Sequence, residues 1–243
     1  MTINFDLADK MTTDGFAVVN NVFENEEIED LIEEISKADQ TKSTFRKSSD
    51  LFAIRQFLKE IPTLTDKIFN NNLKHIITNF FGGDFFIVKS IYFDKPGSSN
   101  WFVPYHQDLT ISVDQKLDTN GYGPWTVKQN QFSVQPPIDI LQDIFTIRIH
   151  LDDTNMDNGA LKVIPQSHLK GIYKAETIDW NVETETICNV QKGGTMFMKP
   201  LLLHASSRTT NNQKRRVIHI ELSRSQLADN LSWAELMYTN LNP

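Results

Sequence analysis

The spacing of apolar residues changes character near residue 84. Before this point, apolar residues recur at the three- and four-residue intervals of an amphipathic helix. In "NEEIEDLIEEISKA", this spacing is followed by Ile28, Leu31, Ile32 and Ile35. After it, short runs rich in β-branched and aromatic residues alternate with turn sequences. The pattern predicts a mainly β fold with flanking helices.

The first third of the chain is predicted to be mainly helical, with one strand. A short helix ends at Gly15, and a strand follows from Phe16 to Val19. Asn25 is the expected N-cap of the next helix, because its side chain can accept a hydrogen bond from a free N–H group. Two further helices are predicted on either side of Pro62, in "LFAIRQFLKEI" and "LTDKIFNNNLKHIITNFF".

Short strands separated by turns form the predicted core. Their sequences are "DFFIVKSIYF", "DIFTIRIHLDD", "GALKVIPQSH", "GGTMFMKPLLLHASS" and "KRRVIHIELS". Residues 111–137, rich in glycine and proline, are interpreted as an ordered loop or lid. We expect one domain over residues 1–243: a helical flank (1–83), an antiparallel jelly-roll core (84–224) and a C-terminal segment (225–243).

Composition and charge limit the kinds of molecule that the protein is expected to bind. The net charge of −7, from 31 acidic and 24 basic residues, argues against nucleic acid or an anionic membrane as the main partner. The single cysteine, Cys188, allows neither an intrachain disulfide nor a cysteine-based zinc site. The N-terminus does not resemble a secretory signal, and no apolar run approaches the length of a membrane span. We therefore expect a cytoplasmic protein.

Three side chains could form a metal site. In "WFVPYHQDLT", His106 and Asp108 stand two residues apart, so an extended strand would point both to one side. His204 follows a leucine run that should be buried, where its ring needs a partner. Separately, each is also explained as an exposed polar pair or a hydrogen-bonded core histidine. Together, two histidines and a carboxylate match the facial triad of non-haem Fe(II) oxygenases.

An arginine near the last predicted ligand could hold an anionic cosubstrate. Arg215 lies eleven residues after His204, at the start of an apolar strand. Strand alternation places Arg215 and Arg216 on opposite faces, so only one of them can point inward. A buried arginine suits pairing with a carboxylate, whereas the alternative is a surface residue of the basic cluster.

Four segments together resemble the phytanoyl-CoA dioxygenase family, in what looks like a bacterial member. They are "DGFAVVNNVFENEEIEDL", "YHQDLT", "LDDTNMDNGALKVIPQSH" and "KPLLLHASSRTTNNQKRRVIHIEL". The resemblance covers nearly the whole chain and implies an Fe(II)- and 2-oxoglutarate-dependent dioxygenase, using O₂, on a cupin-like double-stranded β-helix. It assigns the iron to His106, Asp108 and His204, and 2-oxoglutarate to Arg215, Gln107, Ser206 and Trp125.

Two positions refine this resemblance. The family's usual "PGSH" is "PQSH" here, with Gln166 in place of glycine. This changes a turn outside the metal motif and leaves the ligands unaffected. Related halogenases carry a small residue in place of the iron-binding carboxylate, so Asp108 argues against chlorination.

Substrate contacts are inferred from alternation and proximity in sequence. In "DIFTIRIHLDD", Arg148 and His150 share one strand face, which we expect to line the site. Trp101 and Tyr105 could supply apolar walls, and Arg55 is a further candidate. These residues favour a small polar or anionic metabolite as substrate, and the resemblance implies that it is hydroxylated.

The main alternative is a cupin-like metal protein that is not an oxygenase. Two histidines and an aspartate also suit a zinc hydrolase, an isomerase or a small-molecule sensor. Arg215 distinguishes the two hypotheses, because such proteins have no need for an inward-facing arginine at this position.

Overall fold

The computed structural model describes residues 6–39, 41–48, 52–99, 101–128, 131–228 and 230–238. The helices are α1 (Asp6–Thr13), α2 (Asn25–Ser36), α3 (Phe57–Glu60), α4 (Leu64–Ile68), α5 (Asn71–Phe81) and α6 (Ile138–Asp143). The strands are β1 (Phe16–Val19), β2 (Phe45–Lys47), β3 (Phe52–Arg55), β4 (Phe86–Lys95), β5 (Val103–His106), β6 (Ile111–Val113), β7 (Trp125–Lys128), β8 (Gln131–Val134), β9 (Phe145–His150), β10 (Leu161–Val163), β11 (Thr186–Cys188), β12 (Thr195–Met198), β13 (His204–Ser206), β14 (Arg215–Ser223) and β15 (Met237–Tyr238).

The described strands pair antiparallel in three sheets. The large sheet has the order β1-β12-β9-β14-β4-β3-β2, with β15 also on β4. The second sheet has the order β11-β10-β13-β5, and the third β6-β8-β7. Apolar residues from the first two sheets share one buried cluster, so these sheets pack face to face. The prediction of a mainly β jelly roll with flanking helices is confirmed.

The outer face of the large sheet is covered by the helices. Phe145, Ile147 and Ile149 of β9 belong to a core cluster that includes the buried residues of α2 and α5. The ring of Phe81 in α5 stacks on Phe145 with centroids 4.2 Å apart. Because alternate residues of a strand face opposite sides, the other face of β9 is directed between the two sheets.

That inner face carries polar residues, as the alternation predicts. On β14, His219 lies opposite Arg148 of β9, and Glu221 lies opposite Thr146. All four side chains are buried. Burying so many polar groups is unfavourable unless they are paired or bind something. The region between the sheets is therefore polar at β9 and β14, beside the apolar cluster that β12 and β10 share.

Three features of the helical flank differ from the predictions. The "FAIR" stretch forms β3, and Gln56, at φ +51°, separates it from the short α3. The predicted helix after Pro62 is two helices, because the side chain of Asn70 accepts a 2.9 Å hydrogen bond from the N–H of Leu73 and begins α5. The N-cap of α2 is Glu24 rather than Asn25.

The segment 111–137 is not the predicted loop. It contains the small antiparallel sheet β6-β8-β7, followed by the turn that leads to α6. Ile111, Val113 and Val134 pack into an apolar cluster, while Ser112 and Ser133 pair on the opposite face. This period-2 alternation was present in the sequence but was outweighed by the glycines and prolines around it.

Strands from the predicted flank pair with strands of the predicted core. From the flank, β1 pairs with β12 and β3 pairs with β4, so both belong to the large sheet. The single-domain division remains a prediction, and its ends at residues 1–5 and 239–243 lie outside the described ranges. Of the helices described, the longest has 12 residues, too few for the ~20 that cross a bilayer.

Gln166, the departure from the family glycine, has a left-handed backbone with φ +67°. Its side chain is exposed. We expect Gln166→Gly to leave the free energy of unfolding unchanged or to raise it by up to about 1 kcal/mol, because glycine adopts this conformation without strain. Gln166→Val should lower it by about 1–2 kcal/mol, since a β-branched side chain opposes positive φ. Urea denaturation compares the variants, and equal stability of the two would contradict the explanation.

Candidate metal centre

Two neighbouring strands of the second sheet bring the predicted ligands together. β5 ends at His106, β13 begins at His204, and these two residues lie directly opposite each other. Asp108 follows the end of β5 rather than continuing it. Ligand atoms of the three side chains lie within 4.8 Å of one another, and in the described part of the chain they form the group that could hold a metal ion.

The two imidazoles are oriented by backbone carbonyls. Nδ1 of His106 lies 2.9 Å from the carbonyl oxygen of Pro104, and Nδ1 of His204 lies 2.9 Å from that of Leu202. A carbonyl only accepts, so Nδ1 must carry the proton on each ring. The lone pair of Nε2 is therefore free on both rings, as metal ligation requires.

Distances within the group fit a shared ion better than direct pairing. Nε2 of His106 lies 3.8 Å from Oδ1 of Asp108, and Nε2 of His204 lies 3.7 Å from Oδ2. Both separations are too long for hydrogen bonds. Ligand bonds of about 2.0–2.2 Å to an ion between these atoms would bridge them with small adjustments. The donor set suits Fe(II), with open positions for further ligands.

Electrostatics keep the group in the protonation states that bind a cation. Burial opposes ionisation of Asp108, but the charges of His204, which is protonated at acid pH, and of Lys89 hold its pKa well below the usual range. Burial lowers the pKa of His204 to about 4. Asp108 is therefore anionic and His204 neutral near pH 7, the forms that act as ligands.

Hydrogen bonds fasten the Asp108 segment to the turn that precedes His204. The N–H of Asp108 donates to the carbonyl of Pro200 at 2.9 Å, and the amide of Gln107 donates to that of Leu201 at 2.5 Å. The same amide also donates to the carbonyl of Gly171, while its oxygen accepts from the N–H of Tyr173. Gln107, predicted as a cosubstrate contact, is thus committed to the backbone and positions the ligand segment instead.

Arg215 is the inward-facing arginine of the pair. Its side chain is buried, and its Nε and Nη1 lack hydrogen-bond partners among the described residues. Burial and the nearby Arg148 lower its pKa, yet a guanidinium remains protonated at neutral pH. Arg216 faces the other way and forms a two-point ion pair with Asp152, at 2.7 and 2.9 Å.

The surroundings of Arg215 favour an anionic ligand. Lys95 lies directly opposite it on β4, fully buried, and donates to the backbone carbonyl of Ser207 at 2.7 Å. No carboxylate in the described ranges forms an ion pair with either residue. Two adjacent buried cations are unfavourable unless an anion joins them. Ser206, two residues after His204, is buried as well.

A buried chain of polar residues, missed in the sequence, crosses the inner face. Nη1 of Arg148 donates to Nδ1 of His219 at 3.1 Å, so Nε2 of His219 donates to Glu221, also at 3.1 Å. Glu221 in turn accepts from the ammonium of Lys89 at 2.7 Å. Alternation along β14 puts His219 and Glu221 on the same face as Arg215, but their partners depend on strand register.

Four predicted contacts are placed elsewhere or have other partners. Tyr105 is on the opposite face of β5 from His106, and its hydroxyl donates to Glu185 at 2.5 Å. Trp125 packs into the apolar cluster of the small sheet. Trp101 is half-buried in the loop before β5. His150 is buried, with Nδ1 2.8 Å from the hydroxyl of Thr154 and no described partner at Nε2.

A cavity of about 560 Å³ lies between the large sheet and the small one. Arg55 of β3 and Lys89 of β4 line one side. Residues of β6, β7 and β8 line the other, and Glu235 is also among the lining residues. The three predicted ligands do not line it, but Thr110, two residues after Asp108, and Lys89, whose charge acts on Asp108, do. The segment predicted as a lid therefore supplies a cavity wall.

Comparison with known proteins identifies relatives along most of the chain. The family model described as phytanoyl-CoA dioxygenase (PhyH) matches residues 11–217. A Caenorhabditis elegans protein, phytanoyl-CoA dioxygenase domain-containing protein 1 homolog, is 23% identical over 279 aligned positions, covering 95% of this chain and 93% of that protein.

Several solved structures share the fold. The non-heme α-ketoglutarate-dependent carbocyclase SnoK of nogalamycin biosynthesis has a TM-score of 0.68 at 14% identity, covering 99% of this chain and 95% of its own. The corresponding epimerase SnoN gives 0.67 at 13%, covering 89% and 81%. HygX of Streptomyces hygroscopicus, solved with nickel, 2-oxoglutarate and hygromycin B, gives 0.65 at 14%, covering 92% and 88%. Identities this low establish similarity of fold.

Replacing the carboxylate should remove metal binding. We expect Asp108→Ala to weaken Mn(II) binding by at least about 100-fold, because the ion loses its one anionic ligand among the three. Calorimetric titration of the metal-free protein measures the affinity. His75→Ala, which removes an exposed histidine from α5, is the control and should bind as the parent does. Unchanged affinity in Asp108→Ala would place the metal elsewhere.

Proposed function

The chain belongs to the phytanoyl-CoA dioxygenase family, a family of Fe(II)- and 2-oxoglutarate-dependent enzymes, and on that premise we propose that it is a dioxygenase hydroxylating a small polar or anionic metabolite. The proposal rests on the presence of two sites in one protein, one that can bind a metal ion and one that can bind a carboxylate. The group His106, Asp108 and His204 can ligate iron, and the buried Arg215 offers unpaired donors for a carboxylate.

The role of each residue follows from its chemistry. His106, Asp108 and His204 would hold the iron, and Arg215 would bind the distal carboxylate of 2-oxoglutarate. Together with O₂, the bound iron and 2-oxoglutarate supply the oxidising power that converts a substrate C–H bond to C–OH, with release of succinate and CO₂. Gln107 would keep the ligand segment in place through its hydrogen bonds to the backbone.

The unpaired arginine favours this function over the non-oxygenase alternative. A zinc hydrolase, an isomerase or a sensor could use the same three ligands. None of these accounts for two buried cations, Arg215 and Lys95, side by side without a described carboxylate. A dicarboxylate cosubstrate would place an anion beside them, because its distal carboxylate would pair with Arg215 and offset one of the two charges.

Hydroxylation is the proposed reaction outcome. The position of the substrate in the site determines which outcome occurs. Similar folds include a carbocyclase and an epimerase, so one scaffold serves different outcomes. A metabolite screen that measures substrate-dependent succinate formation tests the proposal. We expect turnover that requires Fe(II), 2-oxoglutarate and O₂, with an alcohol as product. Turnover seen only with a protein or a large acyl-CoA would contradict a small-metabolite substrate.

Removing the arginine should weaken cosubstrate binding selectively. We expect Arg215→Met to raise the Kd for 2-oxoglutarate by at least about 100-fold, roughly 3 kcal/mol, because a buried charge-assisted pairing is lost. The titration uses Mn(II)-loaded protein, which does not turn over. Arg216→Met is the matched control, since that side chain pairs with Asp152 on the other face. An equal effect of the two substitutions would argue against Arg215 as the anchor.

A further inference from the structure

The cavity beside the metal centre has the composition of a site for a hydrogen-bonding ligand. Five residues that carry hydroxyl groups line it, Ser90, Thr110, Ser112, Thr126 and Ser133, and the hydroxyl of Ser90 is already bonded to Glu235. The amides of Gln56 and Gln131 add further donors and acceptors, whereas Ile91, Val113, Phe132 and Ala234 are its apolar members. Its volume of about 560 Å³ lies within the range of small-molecule sites.

Two cationic side chains on one wall of this cavity have donor groups left to bind a ligand. The guanidinium of Arg55 donates to the neutral amide oxygen of Gln131 at 3.2 Å and forms no ion pair with a described carboxylate. The ammonium of Lys89 has three donors, and Glu221 uses one of them. Arg55 lies opposite Ile91 on the neighbouring strand, two residues from Lys89, so both side chains leave the same sheet face.

The network behind Lys89 holds that ammonium in position. Glu221 bridges Lys89 and His219, and His219 is held by Arg148. Burial opposes the charge of Lys89, but Glu221 and Asp108 raise its pKa, so it remains cationic. Arg148, predicted to touch substrate, is not among the residues that line the cavity. Its hydrogen bond to His219 stabilises the chain of residues that ends at Lys89.

The interior carries more positive than negative charge. Its cationic side chains are Arg55, Lys89, Lys95, Arg148 and Arg215, and its carboxyl groups are those of Asp108, Glu221 and Glu235. Even with Glu235 counted as fully ionised, the surplus is two positive charges, and burial raises the pKa of Glu235 to about 7. Fe(II) and the dianion 2-oxoglutarate cancel each other, so the cosubstrate leaves this surplus in place.

We propose, building on the proposed function, that this cavity binds the substrate through an anionic group, a carboxylate or a phosphate, held by Arg55 and Lys89. The hydroxyl-rich wall of the small sheet binds the polar remainder of the molecule. Thr110 lines this cavity and follows Asp108 by two residues, so we expect a ligand anchored at Arg55 and Lys89 to reach toward the metal centre. The substrate class is a small, hydroxylated organic acid or phosphate ester.

Direct binding of matched probes tests this site without turnover. Protein loaded with Mn(II) and 2-oxoglutarate is titrated calorimetrically with glycerol, glycerate and glycerol 3-phosphate. The bound 2-oxoglutarate blocks the Arg215 site, so the probes report on the cavity. We expect at least one anion to bind about 10-fold or more tightly than glycerol, and the comparison of the two anions identifies carboxylate or phosphate.

Variants locate the binding. Arg55→Gln should weaken binding of the preferred anion about 10-fold or more, because a charge-assisted contact is lost. Arg46→Gln, the same change at an exposed residue of the adjacent β2 that does not line the cavity, should stay within about 2-fold of the parent. Lys89→Met combined with Glu221→Gln removes both charges of the buried pair and should also weaken binding, at unchanged net charge.

The outcomes separate the two proposals. If 2-oxoglutarate binds but glycerol binds as tightly as either anion, the anionic-substrate proposal is wrong and the oxygenase assignment stands. Equal effects of Arg55→Gln and Arg46→Gln would also overturn it. If 2-oxoglutarate does not bind the Mn(II)-loaded parent protein, both proposals fail.

Discussion

The connection between the end of β5 and the turn before β13 is the constraint on which the site depends. Backbone and side-chain hydrogen bonds from Asp108 and Gln107 reach the carbonyls of Pro200 and Leu201, almost a hundred residues away in sequence. They fix His106, Asp108 and His204 within ligand distance of one another. Because carbonyls also fix both imidazole tautomers, the site is organised before any ion binds.

The polar interior follows from the same arrangement. The second sheet contributes the ligands, and the facing strands β4, β9 and β14 contribute mainly cations. Lys89 is neutralised within the protein by Glu221, whereas Arg215 and Lys95 lack a described carboxylate partner. The fold thus keeps part of its charge unbalanced, which opposes stability unless anionic ligands bind. The apolar cluster that joins the large sheet to the helices lies on its other face.

The spacing of apolar and polar residues was sufficient to predict the features that depend on a single strand. It put Arg148 on the face expected to line the site and Arg215 and Arg216 on opposite faces, and it predicted a mainly β fold with flanking helices. Partners that join distant segments could not be predicted, because they depend on strand register and loop path. Gln107 is the clearest case, since its amide bonds to backbone groups of two remote loops. The small sheet within 111–137 was missed because turn residues obscured a short alternation.

The central claim is that the three ligands and Arg215 bind iron and 2-oxoglutarate as one unit. Anaerobic titration followed by visible absorption tests it most directly. We expect a charge-transfer band that appears only when Fe(II) and 2-oxoglutarate are both present, saturates at one equivalent of each, and is lost when Zn(II) replaces iron. Absence of the band, together with tight Zn(II) binding that 2-oxoglutarate does not affect, would contradict the claim.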